Sequence, residues 1–328
     1  MVRIWLPLAL LALAGWYHDA GAAPADYRGA MVIDAANGKV IFADDADRTN
    51  PPASVTKLMT FLVVHDAIRA GTLTLGTPVT ITREDAGMGG TQVWLEAGES
   101  FAVEDLLYAL LIQSANDAAH ALARTARGSV PAFVAEMNRR AQVLGMAQTT
   151  FRTPHGLPPR SRKPSEGDLT SARDLALLSR ELLTHTDVLK YTSVRERTFR
   201  PGQPPPREVI MRNHNHLLAK VRGVDGLKTG FTAAAGFCLA ATAERDGRRL
   251  IVVVVGSPDA KSRDIKVAEF IERFLARPAD LAVFRHADES PFVHPAPAKA
   301  AGTNPVAKDA PSQPPETLPT VRFPRPRS

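Results

Sequence analysis

A single cysteine, Cys238, stands in 328 residues, so no internal disulfide can form and the fold does not rely on covalent staples. Its surroundings, Gly236-Phe237-Cys238-Leu239-Ala240, are small and apolar, and no histidine partner can be nominated. A buried, inert thiol is therefore expected. No H-E-x-x-H is present, and His214-Asn215-His216 has no carboxylate at ligand spacing. Neither a metal site nor another cofactor is expected, and those histidines read as loop residues. The absence of G-x-S-x-G excludes the nucleophile elbow of α/β-hydrolases. Lys and Arg number 40 against 34 Asp and Glu, a formal charge of +6, but they are scattered. No basic block or basic–aromatic patch appears, so no nucleic-acid partner is expected. No apolar run reaches the ~20 residues of a membrane-spanning helix.

What is present begins with an export signal. Arg3 gives a positive start, 4–15 is a short apolar run, and Ala20-Gly21-Ala22 is a small-x-small cleavage site. Residues 1–22 are expected to be removed before Ala23, with an uncleaved anchor as the alternative. No cysteine precedes the junction, which argues against a lipoprotein. At the other end, 11 of the 26 prolines fall after residue 277, among many Ala, Thr and Lys with little periodicity. A disordered tail or wall-spanning linker over 278–328 is expected, with only 279–284 able to order. That leaves 23–277 as one domain.

Within that domain, 31–34 and 40–42 read as strands around the hairpin pair Asn37-Gly38. Pro51-Pro52 precedes a helix over 54–69, with Leu58, Met59, Leu62 and Val63 at helical spacing. Segment 72–101 reads as loops and short strands. Helices follow over 103–113, 117–126, 130–144 and 170–183. Strands return at 236–243 and 250–256 around Asp246-Gly247, and the unbroken apolar run Val252 to Val255 marks a central strand. An amphipathic helix over 264–275 closes the domain. Strands at both ends of a helical insertion predict an α+β (α/β) architecture: an antiparallel sheet of about five strands, flanked by helices, with a helical subdomain.

Three motifs fall in order: Ser54-Val55-Thr56-Lys57, Ser114-Ala115-Asn116 and Lys228-Thr229-Gly230. A serine hydroxyl needs a base to become a nucleophile. Ser54 and Lys57 are three apart, on one face of a helix. Lys57 can take that proton only if neutral, and burial beside a second cation, for which Lys228 is the candidate, lowers a lysine pKa. A helix N-terminus favours the oxyanion at Ser54. Ser114 can relay a proton to a leaving amine and Asn116 can hold a peptide group, although Asn116 could equally be a helix cap. Lys228 and Thr229 can grip a carboxylate from a strand, where Gly230 allows close backbone approach.

This ordered set resembles the penicillin-binding proteins and class A β-lactamases. The segments ASVTKLMT (53–60), FRTPHGL (151–157), TSARD (170–174) and GVDGLKTGFT (223–232) resemble the serine D-alanyl-D-alanine carboxypeptidases, over about residues 27–276. The resemblance implies a β-lactamase/DD-peptidase-like fold. It implies catalytic Ser54, Lys57 and Ser114, and substrate-binding Asn116, Lys228, Thr229, Gly230 and Phe231. The backbone N–H groups of Ser54 and Phe231 would form the oxyanion hole. The implied substrates are peptidoglycan stem peptides, with β-lactams as covalent inhibitors, in the periplasm or cell-wall space. Ala115 stands where many relatives have Gly. Phe231 stands where many have His and where D-alanyl-D-alanine endopeptidases can carry Phe, so cross-link cleavage is the alternative. A class A β-lactamase would need a deacylating Glu. Glu166 in EGDLT (166–170) partly matches that pattern, but Thr170 replaces its Asn. The family's β-sandwich domain and C-terminal membrane anchor are expected to be missing.

Overall fold

The computed structural model describes residues 26–204 and 207–275. The expected leader over 1–22, the tail over 278–328 and its stretch at 279–284 lie outside the described residues. The sheet is antiparallel and five-stranded, in the order Val40–Asp44, Gly29–Asp34, Arg248–Ser257, Gly236–Arg245, Val224–Thr232. The N-terminal hairpin therefore forms one edge and pairs with Arg248–Ser257, so the first and last strands among the described residues share one sheet. Asp246 and Gly247, at φ 52° and 75°, make the two-residue turn between the Gly236–Arg245 and Arg248–Ser257 strands.

The apolar run in the central strand is buried on both faces. Ile251, Val253 and Val255 face the helical layer, while Leu250, Val252 and Val254 face the helix Ala260–Leu275. That helix supplies Val267, Phe270, Ile271 and Phe274, with Phe270 packed 4.8 Å from Phe42. Each such buried aliphatic or aromatic side chain contributes about 1.5–3 kcal/mol relative to exposure. Covering both faces fixes the strand register and, with it, the position of the free edge, Val224–Thr232.

On the opposite face the helix Lys57–Arg69 is central. It is apolar nearly all round, with Leu58, Met59, Phe61, Leu62, Val63 and Val64 buried, as a fully enclosed helix requires. Asn116–Arg127, Val130–Val143 and Ala172–His185 pack around it. Ser171 caps the last of these by accepting from the Asp174 N–H (3.1 Å).

Three local outcomes differ from the periodicity reading. The 54–69 helix opens as a 3-10 turn, Ala53–Thr56, before regular helix begins at Lys57. The 103–113 helix is regular only over Val103–Tyr108 and then widens into a π turn, Ala109–Gln113. The Ala115 N–H bonds back to the Ala109 carbonyl (3.0 Å), and Ser114 is left in the left-handed region at φ 65°. Finally, Glu196–Phe199 and Val209–Arg212 form a mostly exposed hairpin with no alternating apolar signal to announce it.

Candidate active site

Pro51-Pro52 and the 3-10 turn place Ser54 against the free edge of the sheet. A Cβ on Gly230 would lie 2.6 Å from the Pro52 carbonyl and 3.1 Å from the Ser54 nitrogen, so only glycine lets that strand approach. Behind the turn, a Cβ on Gly156 would meet the Ala53 carbonyl at 1.9 Å. The turn is thus held between two glycines, with Ala53 itself at φ 49°.

One turn further on, Lys57 is fully buried. Its Nζ donates to Ser54 Oγ (3.1 Å), Asn116 Oδ1 (2.7 Å) and the His155 carbonyl (2.8 Å). Burial, then the nearby Lys228, drives its pKa well below the usual lysine range, while Asp168 and Asp117 oppose the fall. Lys228 is also buried, and burial followed by Arg263 lowers it to about 7. Its Nζ donates to the Thr229 carbonyl (3.0 Å).

Ser114 and Asn116 project from the junction between the π turn and the Asn116–Arg127 helix. The left-handed Ser114 carries a buried Oγ with no hydrogen-bond partner among the described residues. Asn116 is not the cap of its helix; Ala115 holds that position without a side-chain bond. The Asn116 amide instead accepts from Lys57 and donates to the Gly89 carbonyl (2.7 Å). Asn116 therefore couples the lysine to the 89–91 wall.

Ser54, Ser114, Thr229, Gly230 and Phe231 line a single cleft. Phe231 is 55% exposed and stacks on Phe237 at 4.1 Å between ring centroids. The cleft so gathers a hydroxyl beside a buried amine, a second free hydroxyl, and cations behind them. Such an arrangement can activate a nucleophile, protonate a leaving amine and hold an anionic end group.

Several contributors went unnoticed in the sequence. Arg263, 3% exposed, reaches the cleft from the helix Ala260–Leu275, its guanidinium held by Asp264 (2.6 and 2.9 Å). It lay just before the helix expected over 264–275, which in the structure begins earlier, at Ala260. His214 and His216 sit in a loop, between Val209–Arg212 and Leu217–Lys220, as expected, and that loop also lines the cleft. Burial, with Lys228 close by, lowers His214 to about 4, so it is neutral at ordinary pH. Among the described residues no group of three or more His, Cys, Asp or Glu converges as a metal site. Cys238 is buried with its thiol pushed up to about 11, so it is inert. Glu166 pairs with Lys163 (3.4 Å) at the surface and does not line the cleft, which removes the residue a class A β-lactamase would need.

A five-stranded antiparallel sheet under helices, with Ser54 and Ser114 lining one cleft and Lys57 buried behind Ser54, fits the class of serine peptidases. Within it, the chain belongs to the D-alanyl-D-alanine carboxypeptidase family, peptidase family S11, whose model matches residues 19–259. It is 35% identical over 245 residues to the D-alanyl-D-alanine carboxypeptidase DacF of Bacillus subtilis, covering 75% of this chain and 61% of that one. A D-alanyl-D-alanine endopeptidase of Pseudomonas aeruginosa is 34% identical over 211 residues, 64% of each. Among solved structures, ampicillin-bound penicillin-binding protein D2 of Listeria monocytogenes superposes with a TM-score of 0.66. That pair is 32% identical, over 76% of this chain and 99% of the other. The chain thus spans about three fifths of the length of the first carboxypeptidases it matches, 61% and 58%.

Proposed function

We propose that the chain is a serine-type D-Ala-D-Ala carboxypeptidase that removes the terminal D-alanine from peptidoglycan pentapeptides. The observation that carries this reading is the buried Lys57 amine, 3.1 Å from the Ser54 hydroxyl and depressed in pKa. Neutral Lys57 takes the Ser54 proton as Oγ attacks the carbonyl of the penultimate D-Ala. The tetrahedral oxyanion is held by the N–H groups of Ser54 and Phe231. Its collapse breaks the C–N bond, and the departing amine of the terminal D-Ala takes a proton through Ser114. Water then hydrolyses the ester and restores Ser54.

Asn116 holds the substrate amide, and Thr229 and Lys228, backed by Arg263, hold the terminal carboxylate. The peptide adds as a strand along Val224–Thr232, where Gly230 admits its backbone. β-Lactams acylate the same serine; the ampicillin complex of the Listeria relative supports this. Export to the periplasm or cell-wall space, with 1–22 removed and 278–328 a linker, completes the reading. Among the described residues no helix is long and apolar enough to cross a membrane.

A second reading, cleavage of peptide cross-links, is favoured by the exposed Phe231 at the cleft and by the endopeptidase relative. Mass spectrometry of the enzyme with monomeric pentapeptide and with cross-linked dimer muropeptides separates the two. D-alanine release with dimers intact supports the carboxypeptidase. Dimers falling to monomers with little free D-alanine would make it an endopeptidase.

A further inference from the structure

We propose that Asp168 is a positioning residue for this serine–lysine pair: a buried carboxylate that ties the Ser54 turn to the loop gripping Lys57. It is 4% exposed and accepts four hydrogen bonds from two directions. Thr56, inside the nucleophile turn and adjacent to Lys57, donates its hydroxyl to Oδ2 at 3.0 Å. From the 152–156 loop, the Arg152 N–H (2.7 Å) and Thr153 N–H (3.0 Å) reach Oδ1, and the Thr153 hydroxyl reaches Oδ2 at 3.0 Å.

That loop is bound to the nucleophile helix at two further points. The His155 carbonyl accepts from Lys57 Nζ, and the Pro154 carbonyl accepts from the Thr60 hydroxyl. The Thr153 hydroxyl also accepts from the Gly156 N–H (2.8 Å), the glycine that fits against Ala53. Asp168 is therefore the common acceptor of both pieces that orient the reacting pair. Removing it frees Thr56 and the loop together, and the lysine amine loses its fixed direction toward Ser54 Oγ. Misplacements of about 1 Å at such a pair cost on the order of a hundredfold in rate.

Its charge acts as well as its geometry. Burial raises the pKa of this carboxyl, while the four hydrogen bonds it accepts among the described residues pull it back down. Lys57 faces Lys228 from the edge strand, Asp117 from the Asn116–Arg127 helix and Asp168 from the loop; neighbouring His155, lowered by burial to about 3, is neutral. Against Lys228, the two carboxylates favour the ammonium, so Asp168 limits how far into acid Lys57 stays neutral.

The inference rests on Lys57 being the base for Ser54, and two variants of the full chain test it apart from that reading. In Asp168→Asn the threonine hydroxyls can rotate to accept from the new amide, so the shape is kept and the charge is lost. The pH profile of penicillin acylation should then shift its acid limb to lower pH, because neutral Lys57 persists further into acid. Thr56→Val keeps the charge and cuts the tether. It should slow acylation about tenfold or more with the limb unmoved and penicillin binding before acylation unchanged. An unmoved limb in the first variant together with a wild-type rate in the second would overturn the inference. Should Asp168→Asn not fold, the Thr56→Val rate decides alone. A wild-type protein that no penicillin acylates would instead defeat the reading of the site.

Discussion

Lys57 Nζ and Ser54 Oγ lie 3.1 Å apart with the amine fully buried, so the proposed base and nucleophile already touch in the substrate-free fold. Burial is the largest influence pushing the pKa of that amine down. Lys228 reinforces it, while Asp168 and Asp117 oppose it.

The Lys228 contribution has a definite sign. Lys228→Gln removes a cation, protonation of Lys57 becomes easier, and the lysine pKa rises. The acid limb of β-lactam acylation should therefore move to higher pH, opposite to the shift expected for Asp168→Asn. The rate constant at neutral pH should fall on the order of a hundredfold. Stopped-flow acylation across pH checks both; an unmoved limb contradicts the electrostatic account.

Ser114 offers a separation of stability from activity. Its buried Oγ has no partner among the described residues, so Ser114→Ala breaks no hydrogen bond of the resting enzyme. Thermal unfolding should be unchanged or slightly higher, while D-alanine release drops about 10²-fold or more as proton relay is lost. A large loss of stability with intact turnover would place Ser114 in the scaffold instead.

Arg263 predicts a preference for free carboxyl ends. Charge-assisted hydrogen bonds are worth about 1.5–3 kcal/mol, so Arg263→Gln should lower kcat/KM for acid-terminated peptide by roughly ten- to a hundredfold. The amide-terminated analogue should be hardly affected. Equal losses on both peptides would show that the arginine only supports the helix.

Gly156 tests the back of the Ser54 turn. Alanine there must accept φ 80° and a Cβ 1.9 Å from the Ala53 carbonyl. The backbone strain alone costs about 1–3 kcal/mol, and the clash adds to it. Denaturant unfolding should show a lowered midpoint, and acylation should slow as Ser54 is displaced. A variant with wild-type stability and rate would show that the turn is compliant.

The helices and strands that could be read from the chain are those with a strong local apolar or turn pattern. The Lys57–Arg69 helix, the doubly buried Val252 to Val255 run and the Asp246-Gly247 turn all follow from local pattern. Ser54, Lys57 and Ser114 were visible as motif residues. What stayed hidden lies in contacts between distant segments. The His155 carbonyl is 98 residues from Lys57 and Asp168 is 112 from Thr56, and no spacing encodes either. The π turn was masked by the helical leucine pattern through 106–111, although it is what turns Ser114 into the cleft. Arg263 lies one residue before the helix expected over 264–275, and only the assembled fold brings it to the cleft.

The most direct test of the central claim is peptide-level mass spectrometry after incubation with benzylpenicillin. The account predicts one adduct, carrying the mass of the intact lactam, on the peptide containing Ser54, and no adduct in Ser54→Ala. An adduct elsewhere, or one that persists in Ser54→Ala, would contradict it.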